Sequence, residues 1–394
     1  MGLLPIADEI AQRTAAVHLS AEELRRFTRH VVLPELGLQG QKALVASRVL
    51  LVGLGGLGAP SALYLAAAGV GCLALADGDS VDVSNLQRQV LYRTEDVGKA
   101  KVAVAARRLE ELNPGIKVET HPHMIDPDTI MDLVTQYDLV IDGTDNFGAR
   151  YLISDACVLA GKPYVYGSIS RFSGQASIFY PPYGPCYRCL FPRPPSPGSV
   201  LSCAEGGVLG VLPGVIGSIQ ATEALKLLAG IGEPLLGRLL TYDALSMRWS
   251  EFRLTRDKNC ALCGEQPTIT ALRAEAATCE RRQITSGDSD IEISLDDYFH
   301  LRNAQISHQL VDVREKTEAA ICSIDGSLLV PLNDLPKRLS EMAHDRPIVV
   351  HCKTGGRSAR AVEYMRTQGF TQVWSLQGGI LGWSDKYDPT LARY

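Results

Sequence analysis

Cys352 is the residue of this chain whose surroundings point most directly to chemistry. Ile348–His351 predicts a strand, and the run Cys352–Ser358, with the sequence CKTGGRS, follows it and opens a helix. The amides of such a loop point inward at a helix N-terminus, where they stabilise an anionic sulfur. Lys353 and Arg357 add positive charge, which also favours a thiolate. The segment predicts a nucleophilic sulfur that can carry a persulfide.

The spacing of this loop separates two kinds of enzyme. A cysteine phosphatase stabilises its thiolate in the same way, but its loop is typically longer than the four residues between Cys352 and Arg357. A shorter loop fits a single sulfur atom better than a phosphate. The spacing therefore favours a sulfurtransferase over a phosphatase.

Two C-x-x-C pairs predict a metal site. They contain four of the ten cysteines, namely Cys186, Cys189, Cys260 and Cys263. Four thiolates from two such knuckles form a closed tetrahedral Zn²⁺ site. A redox pair is the rival interpretation, but neither pair opens a helix after a strand, as redox motifs do. We expect structural zinc.

A glycine-rich loop near the N-terminus predicts a nucleotide site. Arg48–Val52 is a short β-rich run, and the sequence GLGGLG over Gly53–Gly58 follows it and opens a helix. Glycines let the backbone approach a phosphate, and a helix N-terminus favours negative charge. Asp77 ends the next predicted strand, where an acid can bind ribose hydroxyls. These features alone would indicate a dinucleotide-dependent oxidoreductase.

Three further segments favour nucleotidyl transfer instead. They are Ser84-Asn85-Leu86-Gln87-Arg88, Gly98-Lys99-Ala100-Lys101 and Asp142-Gly143-Thr144-Asp145-Asn146. The first two bring cations for a triphosphate, and the third brings carboxylates for Mg²⁺, all to the carboxyl-end face of the sheet. Such groups suit nucleotidyl transfer, whereas hydride transfer needs neither.

Together these motifs resemble the adenylyltransferases that activate ubiquitin-like proteins, and most of all the bacterial MoeB and ThiF enzymes. The resemblance runs from about Leu19 to Gly264. It implies that ATP is bound by Gly56 through its backbone, by Asp77 at the ribose, by Asn85, Arg88 and Lys101 at the phosphates, and by the neighbouring Ser84, Leu86, Gln87 and Asn146. It also implies that Asp145 handles Mg²⁺ and the chemistry, with Arg88 assisting.

The same resemblance implies two features beyond the ATP site. Arg29, in the predicted helix Ser20–Leu33, matches an arginine that enters the partner subunit's ATP site, which implies a homodimer. Cys203 matches a cysteine that can form a covalent link to the partner protein. A passive loop thiol is the alternative for Cys203, because nothing nearby in the sequence would activate it.

A second resemblance covers Ile291–Trp383, which is similar to a rhodanese domain. Val311–Glu315, with the sequence VDVRE, and Gly378–Trp383, with the sequence GGILGW, match that family. Ser323–Gly326 departs from the usual His-Ile-x-Gly pattern, which affects the support of the loop but not the role of Cys352. The whole chain thus resembles a MoeZ-like fusion of the two enzyme types.

Composition sets wider limits. Hydrophobic residues make up 46% and charged residues 21% of the 394, with a net charge of -5. This balance gives no reason to expect nucleic-acid binding, and no apolar run is long enough for a membrane span. Because the start does not read as a signal peptide and the cysteines do not suggest a disulfide framework, we expect a cytoplasmic protein.

The order of predicted elements gives the architecture. Alternating strands and helices predict an α/β chain, with a Rossmann-like adenylyltransferase domain that has a mixed sheet and a zinc knuckle over residues 1–265. A linker is expected over 266–290 and a small α/β rhodanese domain over 291–394. The N-terminus through Val17 is expected to be a loosely attached arm.

The two resemblances together predict one reaction sequence. ATP would activate the C-terminal Gly-Gly of a ubiquitin-like sulfur-carrier protein, and Cys352, charged by a cysteine desulfurase or thiosulfate, would deliver sulfur to form a thiocarboxylate. Cys203 would cleave the intermediate by way of a thioester or a disulfide. Molybdopterin, thiamine, tRNA thiolation, cysteine or a siderophore remain open as the destination. An NAD-dependent oxidoreductase and a non-catalytic scaffold are the alternatives.

Overall fold

The computed structural model describes residues 5–181, 183–195, 206–272 and 291–394. The chain divides into two compact units, residues 1–279 and residues 280–394. Their boundary falls within the segment 266–290 that is predicted as a linker, most of which lies outside the described residues. The limits predicted for the two domains therefore remain a prediction.

The first unit is built on a mixed sheet of eight strands in the order β3-β2-β1-β4-β5-β6-β7-β8. The first five in that order are parallel, and β6, β7 and β8 are antiparallel. The strands are β1 Arg48–Val52, β2 Cys72–Ala76, β3 Lys117–His121, β4 Leu139–Asp142, β5 Tyr164–Ser170, β6 Ser173–Phe179, β7 Arg238–Asp243 and β8 Arg248–Arg253. The order in which the chain adds strands to the sheet reverses between β1 and β4, which opens a crevice at the carboxyl ends of these two strands.

Helices cover both faces of this sheet. They are α1 Pro5–Thr14, α2 Ala21–Arg26, α3 Thr28–Val31, α4 Gly37–Ala46, α5 Gly58–Ala68, α6 Lys101–Leu112, α7 Ile130–Thr135, α8 Phe147–Ala160, α9 Tyr187–Leu190 and α10 Leu212–Ala229, with 3-10 turns at Val83–Asn85 and Thr94–Asp96. Side chains of β1 alternate between two cores, because Val49 and Leu51 face one helix layer whereas Leu50 and Val52 face the other. The predicted strands Arg48–Val52 and Cys72–Ala76 are confirmed to the residue.

Two expectations for the N-terminal region are wrong. The expected loose arm contains α1, whose Ile6 and Ile10 are buried in the core against the sheet. The single helix expected over 20–33 is divided into α2 and α3 at Phe27, whose ring is buried beside Gly69. The packing of a large apolar side chain against a neighbouring helix end overrides the local helical pattern here.

The second unit is a parallel sheet of five strands in the order β11-β10-β12-β13-β9. Its strands are β9 Glu292–Ile293, β10 Gln309–Asp312, β11 Ser327–Leu329, β12 Ile348–His351 and β13 Val373–Leu376. Its helices are α11 Leu295–Asn303, α12 Lys316–Ala319, α13 Gly356–Thr367 and α14 Gly379–Lys386, with 3-10 turns at Leu335–Lys337 and Leu339–Glu341. Separate cores on the two faces confirm the predicted α/β class for this unit as for the first. Along the described part of the chain, no helix combines the length and apolar character needed to cross a membrane.

Candidate functional sites

The loop after β1 has a conformation that only glycine can supply. Gly53 has a φ of 86°, in the left-handed region. A Cβ atom on Gly58, the first residue of α5, would lie 1.9 Å from the carbonyl oxygen of Gly53, and one on Gly143 would lie 2.3 Å from the same oxygen. The backbones after β1 and β4 therefore pack directly together, and the N-terminus of α5 is left facing the crevice.

A cavity of about 250 Å³ lies at this crevice, at the carboxyl ends of β1, β2 and β4. Seven of the residues predicted to bind ATP line it, namely Gly56, Asp77, Asn85, Arg88, Lys101, Asp145 and Asn146. These seven residues bring glycine backbone, two side-chain cations and two carboxylates to the cavity. That set can cradle a polyphosphate and a divalent cation together.

The two cysteine knuckles come together as one cluster. The four Sγ atoms of Cys186, Cys189, Cys260 and Cys263 lie within 4.8 Å of one another. The contacts Cys186–Cys260 and Cys189–Cys263 measure 3.5 and 3.4 Å. A tetrahedron of thiolates around Zn²⁺, with Zn–S of about 2.3 Å, has S–S edges of about 3.8 Å. The donor set and its spacing therefore fit zinc in a closed structural site.

The Cys352 loop forms a small cup around its sulfur. β12 ends at His351, and Gly355, with a φ of 109°, precedes the first turn of α13. The amide of Gly355 donates to Cys352 Sγ at 3.2 Å, and the hydroxyl of Ser358 lies 3.5 Å from the same atom. Cys352 is 1% exposed. The loop can therefore stabilise a negative charge on one buried sulfur.

Comparison with protein families matches both units. Residues 27–262 match the ThiF family, and residues 296–386 match the rhodanese-like domain. The first match covers more than half of the chain. The chain belongs to the ThiF family.

Relatives of this ThiF-family chain share both parts. The chain is 45% identical over 387 residues to a probable adenylyltransferase/sulfurtransferase MoeZ of Mycobacterium tuberculosis, covering 95% of this chain and 96% of that protein. It is 44% identical to the adenylyltransferase and sulfurtransferase MOCS3 of Bos taurus, covering 95% of this chain and 89% of the relative. The chain is therefore an enzyme that joins an adenylyltransferase to a sulfurtransferase.

Solved structures show the same fold for much of this ThiF-family chain. Escherichia coli MccB with MccA-N7isoASN has a TM-score of 0.55 and 24% identity, covering 63% of this chain and 76% of that one. PaaA has a TM-score of 0.52 and 25% identity, covering 60% and 75%. At this level of identity the likeness supports the fold and nothing more.

Asp77 and Lys101 bring an acid and a cation to the lining of the ThiF-family cavity. Asp77 accepts the amides of Leu54 at 2.7 Å and Asp79 at 2.8 Å. Burial raises the pKa of the Asp77 carboxyl, and Lys101 and the two amides oppose that shift. The buried Lys101 donates from Nζ to Asp79 at 2.9 Å, so its ammonium is fixed at the cavity edge.

The two acids of the Asp142–Asn146 segment have different surroundings. Asp142 is fully buried, where it accepts the amide and hydroxyl of Thr144 and the phenol of Tyr164. Burial raises the pKa of Asp142. Asp145 is exposed and lines the cavity, while Asn146 caps α8 by accepting the amide of Ala149. Asp142 thus shapes the turn, and Asp145 is the acid that is available to a ligand.

Arg150 lines the same cavity, and the motifs do not identify it. It is buried in α8, and it donates to Ser168 Oγ at 3.0 Å and to the carbonyl of Thr144 at 3.2 Å. Its spacing, four residues after the capping Asn146, is a usable signal, because residues i and i+4 lie on the same side of a helix. Asp79 also lines the cavity and lies equally outside the motifs.

Four predicted nucleotide-binding residues lie away from the lining of the cavity. Ser84 and Gln87 are exposed, Leu86 is half-buried against the core, and Arg29 is exposed on α3. Their roles in nucleotide binding remain predictions. Cys203 lies outside the described residues, so its predicted role also remains a prediction.

The two cations of the Cys352 loop have partners outside the loop. Arg357 donates from both terminal nitrogens to Glu318, at 2.6 and 2.7 Å. The ammonium of Lys353 lies 4.7 Å from the centre of the Tyr394 ring. The sequence predicts that Lys353 and Arg357 both add positive charge beside the sulfur. The Glu318 carboxylate offsets the charge of Arg357, so this prediction is refined for that residue.

Proposed function

We propose that this enzyme uses Mg·ATP to adenylate the C-terminal glycine of a ubiquitin-like sulfur-carrier protein, and then passes sulfur from Cys352 to that glycine. The observation that carries the proposal is that one chain contains both a cation-lined cavity at its sheet's carboxyl ends and a buried sulfur in an amide cup. Each site alone performs half of a reaction. The product of the first half is the acceptor that the second half requires.

ATP binding would use the residues that line the cavity. The backbone at Gly56 and the N-terminus of α5 would receive phosphate, and Asp77 would accept ribose hydroxyls. Asn85, Arg88 and Lys101 would contact the phosphates, with Ser84, Leu86, Gln87 and Asn146 around them. Asp145 would hold Mg²⁺, which offsets the charge of the phosphates when it is bound. The cysteine cluster would hold Zn²⁺ as a structural clamp, with no part in the chemistry.

The first step is attack of the glycine carboxylate on the α-phosphorus of ATP. An oxygen–phosphorus bond forms to give the acyl-adenylate, and pyrophosphate leaves with the electron pair of the bond that breaks. Negative charge develops on the transferred phosphoryl group, and Arg88 and Lys101 would stabilise it. Arg29 of the second copy in a homodimer would add a further cation.

The second step joins the two sites. The terminal sulfur of a Cys352 persulfide attacks the carbonyl of the acyl-adenylate, AMP leaves, and an acyl disulfide forms. The thiolate of Cys203 then attacks the Cys352 sulfur, which releases the thiocarboxylate and leaves a Cys203–Cys352 disulfide for an external thiol to reduce. A cysteine desulfurase or thiosulfate would recharge Cys352. We place this reaction in the cytoplasm, where thiols are kept reduced.

Mass spectrometry of candidate carrier proteins tests the proposal. Carriers ending in Gly-Gly are incubated with the full chain, Mg·ATP and thiosulfate, and exchange of one terminal oxygen for sulfur is the expected result. Cys352→Ala should abolish the replacement of oxygen by sulfur on the carrier and leave ATP–pyrophosphate exchange intact. Cys322→Ala is the matched control, because Cys322 is the other free thiol of the second unit. Thiocarboxylate formation at the normal rate in Cys352→Ala would contradict the coupled scheme.

A further inference from the structure

Arg357 of the Cys352 loop takes part in a buried ion pair that the reaction scheme does not use. Arg357 and Glu318 make two charge-assisted hydrogen bonds, at 2.6 and 2.7 Å, and their side chains are 6% and 12% exposed. Bidentate pairs of this kind are strong and fixed in geometry. The guanidinium of Arg357 is therefore directed at the carboxylate of Glu318 on α12. An anionic ligand would have to displace that carboxylate to bind it.

Tyr394 holds this pair in place. Its hydroxyl donates to Glu318 at 3.1 Å and accepts from Arg314 at 2.7 Å. Arg314 is itself anchored by the buried Asp312 at 2.6 Å. The Tyr394 ring also contacts the ammonium of Lys353 as a cation–π pair. Each cation of the loop is thus matched by a group from another segment of the unit.

The sulfur receives its own stabilisation from neutral donors. Gly355 donates its amide to Cys352 Sγ, and the hydroxyl of Ser358 lies within reach of the same atom. Ser358 also lies 2.8 Å from the hydroxyl of Ser375 and 2.9 Å from the carbonyl of Gly355, so its proton can turn toward the sulfur when charge develops there. This set suits one negative charge on one sulfur atom.

We propose that Glu318, held by Tyr394, determines which sulfur donor the loop accepts, by disfavouring a doubly charged inorganic donor and favouring a persulfide. The inference rests on the proposed function of Cys352 and extends it to the class of donor. A thiosulfate dianion that is to be bound by Arg357 has to compete with the Glu318 carboxylate for its guanidinium. A persulfide brings at most one charge at its reacting end, so that competition is weaker.

The charge balance of the two loading reactions shows the difference. With a persulfide, the Cys352 thiolate attacks the outer sulfur, a sulfur–sulfur bond forms, and the donor's own sulfur–sulfur bond breaks. The proton stays on the transferred sulfur, and the donor leaves as a thiolate, so one negative charge is present throughout. With thiosulfate, the same attack expels sulfite as a dianion and leaves a Cys352 persulfide anion. Three negative charges are then present at a loop whose Arg357 is already paired with Glu318.

Steady-state sulfur transfer to cyanide by the full chain tests this inference. Thiosulfate and cysteine persulfide are the two donors, and Glu318→Gln removes the charge but keeps a hydrogen-bond acceptor for Arg357. We expect the KM for thiosulfate to fall roughly tenfold, and the kcat and KM for cysteine persulfide to stay within about twofold. Glu341→Gln is the matched control, because Glu341 makes an exposed ion pair with Arg338 elsewhere in the unit and should leave both donors unchanged.

Tyr394→Phe gives a second, milder test. It keeps the ring against Lys353 and removes the hydroxyl that holds Glu318, so the KM for thiosulfate should fall by a smaller factor in the same direction. It carries the test alone if thermal unfolding shows that Glu318→Gln does not fold. An unchanged thiosulfate KM in the folded variants, or an equal change for both donors, would overturn the inference. Transfer that survives in Cys352→Ala would instead overturn the proposed function.

Discussion

The two candidate reaction sites have the same backbone plan and opposite surroundings. In each, a buried parallel strand ends, a glycine-containing loop follows, and a helix begins, at Gly58 in the first unit and at Gly356 in the second. The first loop faces a cavity lined by Lys101, Arg88 and Asp145, whereas the second encloses one sulfur that is 1% exposed.

The two sites differ in the origin of the negative charge that they stabilise. A nucleotide brings several negative charges from outside, so its site needs an accessible cavity with cations. The sulfur site generates one charge on the protein's own Cys352, so an amide and a hydroxyl meet that need, and the nearby Arg357 is paired with Glu318. Each site lies at the N-terminus of its own helix, because a helix N-terminus favours negative charge whether a ligand brings it or the protein generates it.

Asp145→Ala is the largest expected effect and tests whether the two sites are chemically separate. Loss of this acid should lower ATP–pyrophosphate exchange by about 10²–10³-fold, because charge stabilisation at the transferred phosphoryl group is lost. Sulfur transfer from thiosulfate to cyanide should stay unchanged, since it needs only the second unit. Asp132→Ala, at an exposed position on α7, is the control and should affect neither. Parallel loss of both activities would contradict the separation.

Alanine at the first helical residue of each loop sharpens the comparison. A Cβ on Gly58 would overlap the carbonyl of Gly53 at 1.9 Å, whereas one on Gly356 would meet nothing within 4 Å. Gly58→Ala should therefore destabilise the first unit by about 2–3 kcal/mol through overpacking. Gly356→Ala should stabilise the second by up to about 1 kcal/mol, because Ala is the better helix former. Urea unfolding of the full-length variants measures both, and equal effects would refute the contrast.

His351, the last residue of β12 before the sulfur loop, gives the smallest expected effect. Burial lowers its pKa from 6.5 to about 4, so between these values the unfolded chain binds more protons than the folded one. Its stabilising contribution is present above pH 6.5 and is lost as the pH falls toward 4. Between pH 7.5 and 5.5 the second unit should lose roughly 1 kcal/mol, and His351→Gln should remove that loss. Matching pH profiles for both proteins in urea unfolding would count against this assignment.

Much of the first site was within reach of the sequence because its residues are local to their motifs. The glycine loop, Asp77 and Asp145 each lie at the end of a recognisable strand, and parallel strands bring those ends together. Arg150 escapes the motifs because its side chain reaches the cavity from the second turn of α8, past the capping Asn146. Its position depends on tertiary packing that the motif does not contain.

The sequence predicted the sulfur and the cations of the second site but not the partners of those cations. The loop sequence identifies Cys352 and the amide cup, since both lie within seven consecutive residues. The partner of Arg357 is Glu318, 39 residues away, and Tyr394 is 76 residues from Glu318. Ion pairs between segments so far apart follow from the topology of the sheet and leave no local pattern. The helix division at Phe27 has a similar origin, because a contact with Gly69 decides it.

The cysteine cluster has a consequence for the unfolded chain as well as for the folded one. Cys186 and Cys260 are 74 positions apart, and β7, β8 and α10 lie between them. A metal ion held by all four thiolates would tie that stretch into a closed ring, and by analogy with a disulfide of this loop length the lost chain entropy corresponds to roughly 4 kcal/mol. β7 and β8 would then resist unfolding through a tether that is independent of the apolar core. A chelator that removes the metal ion would open this ring and leave the hydrophobic contacts of the core in place.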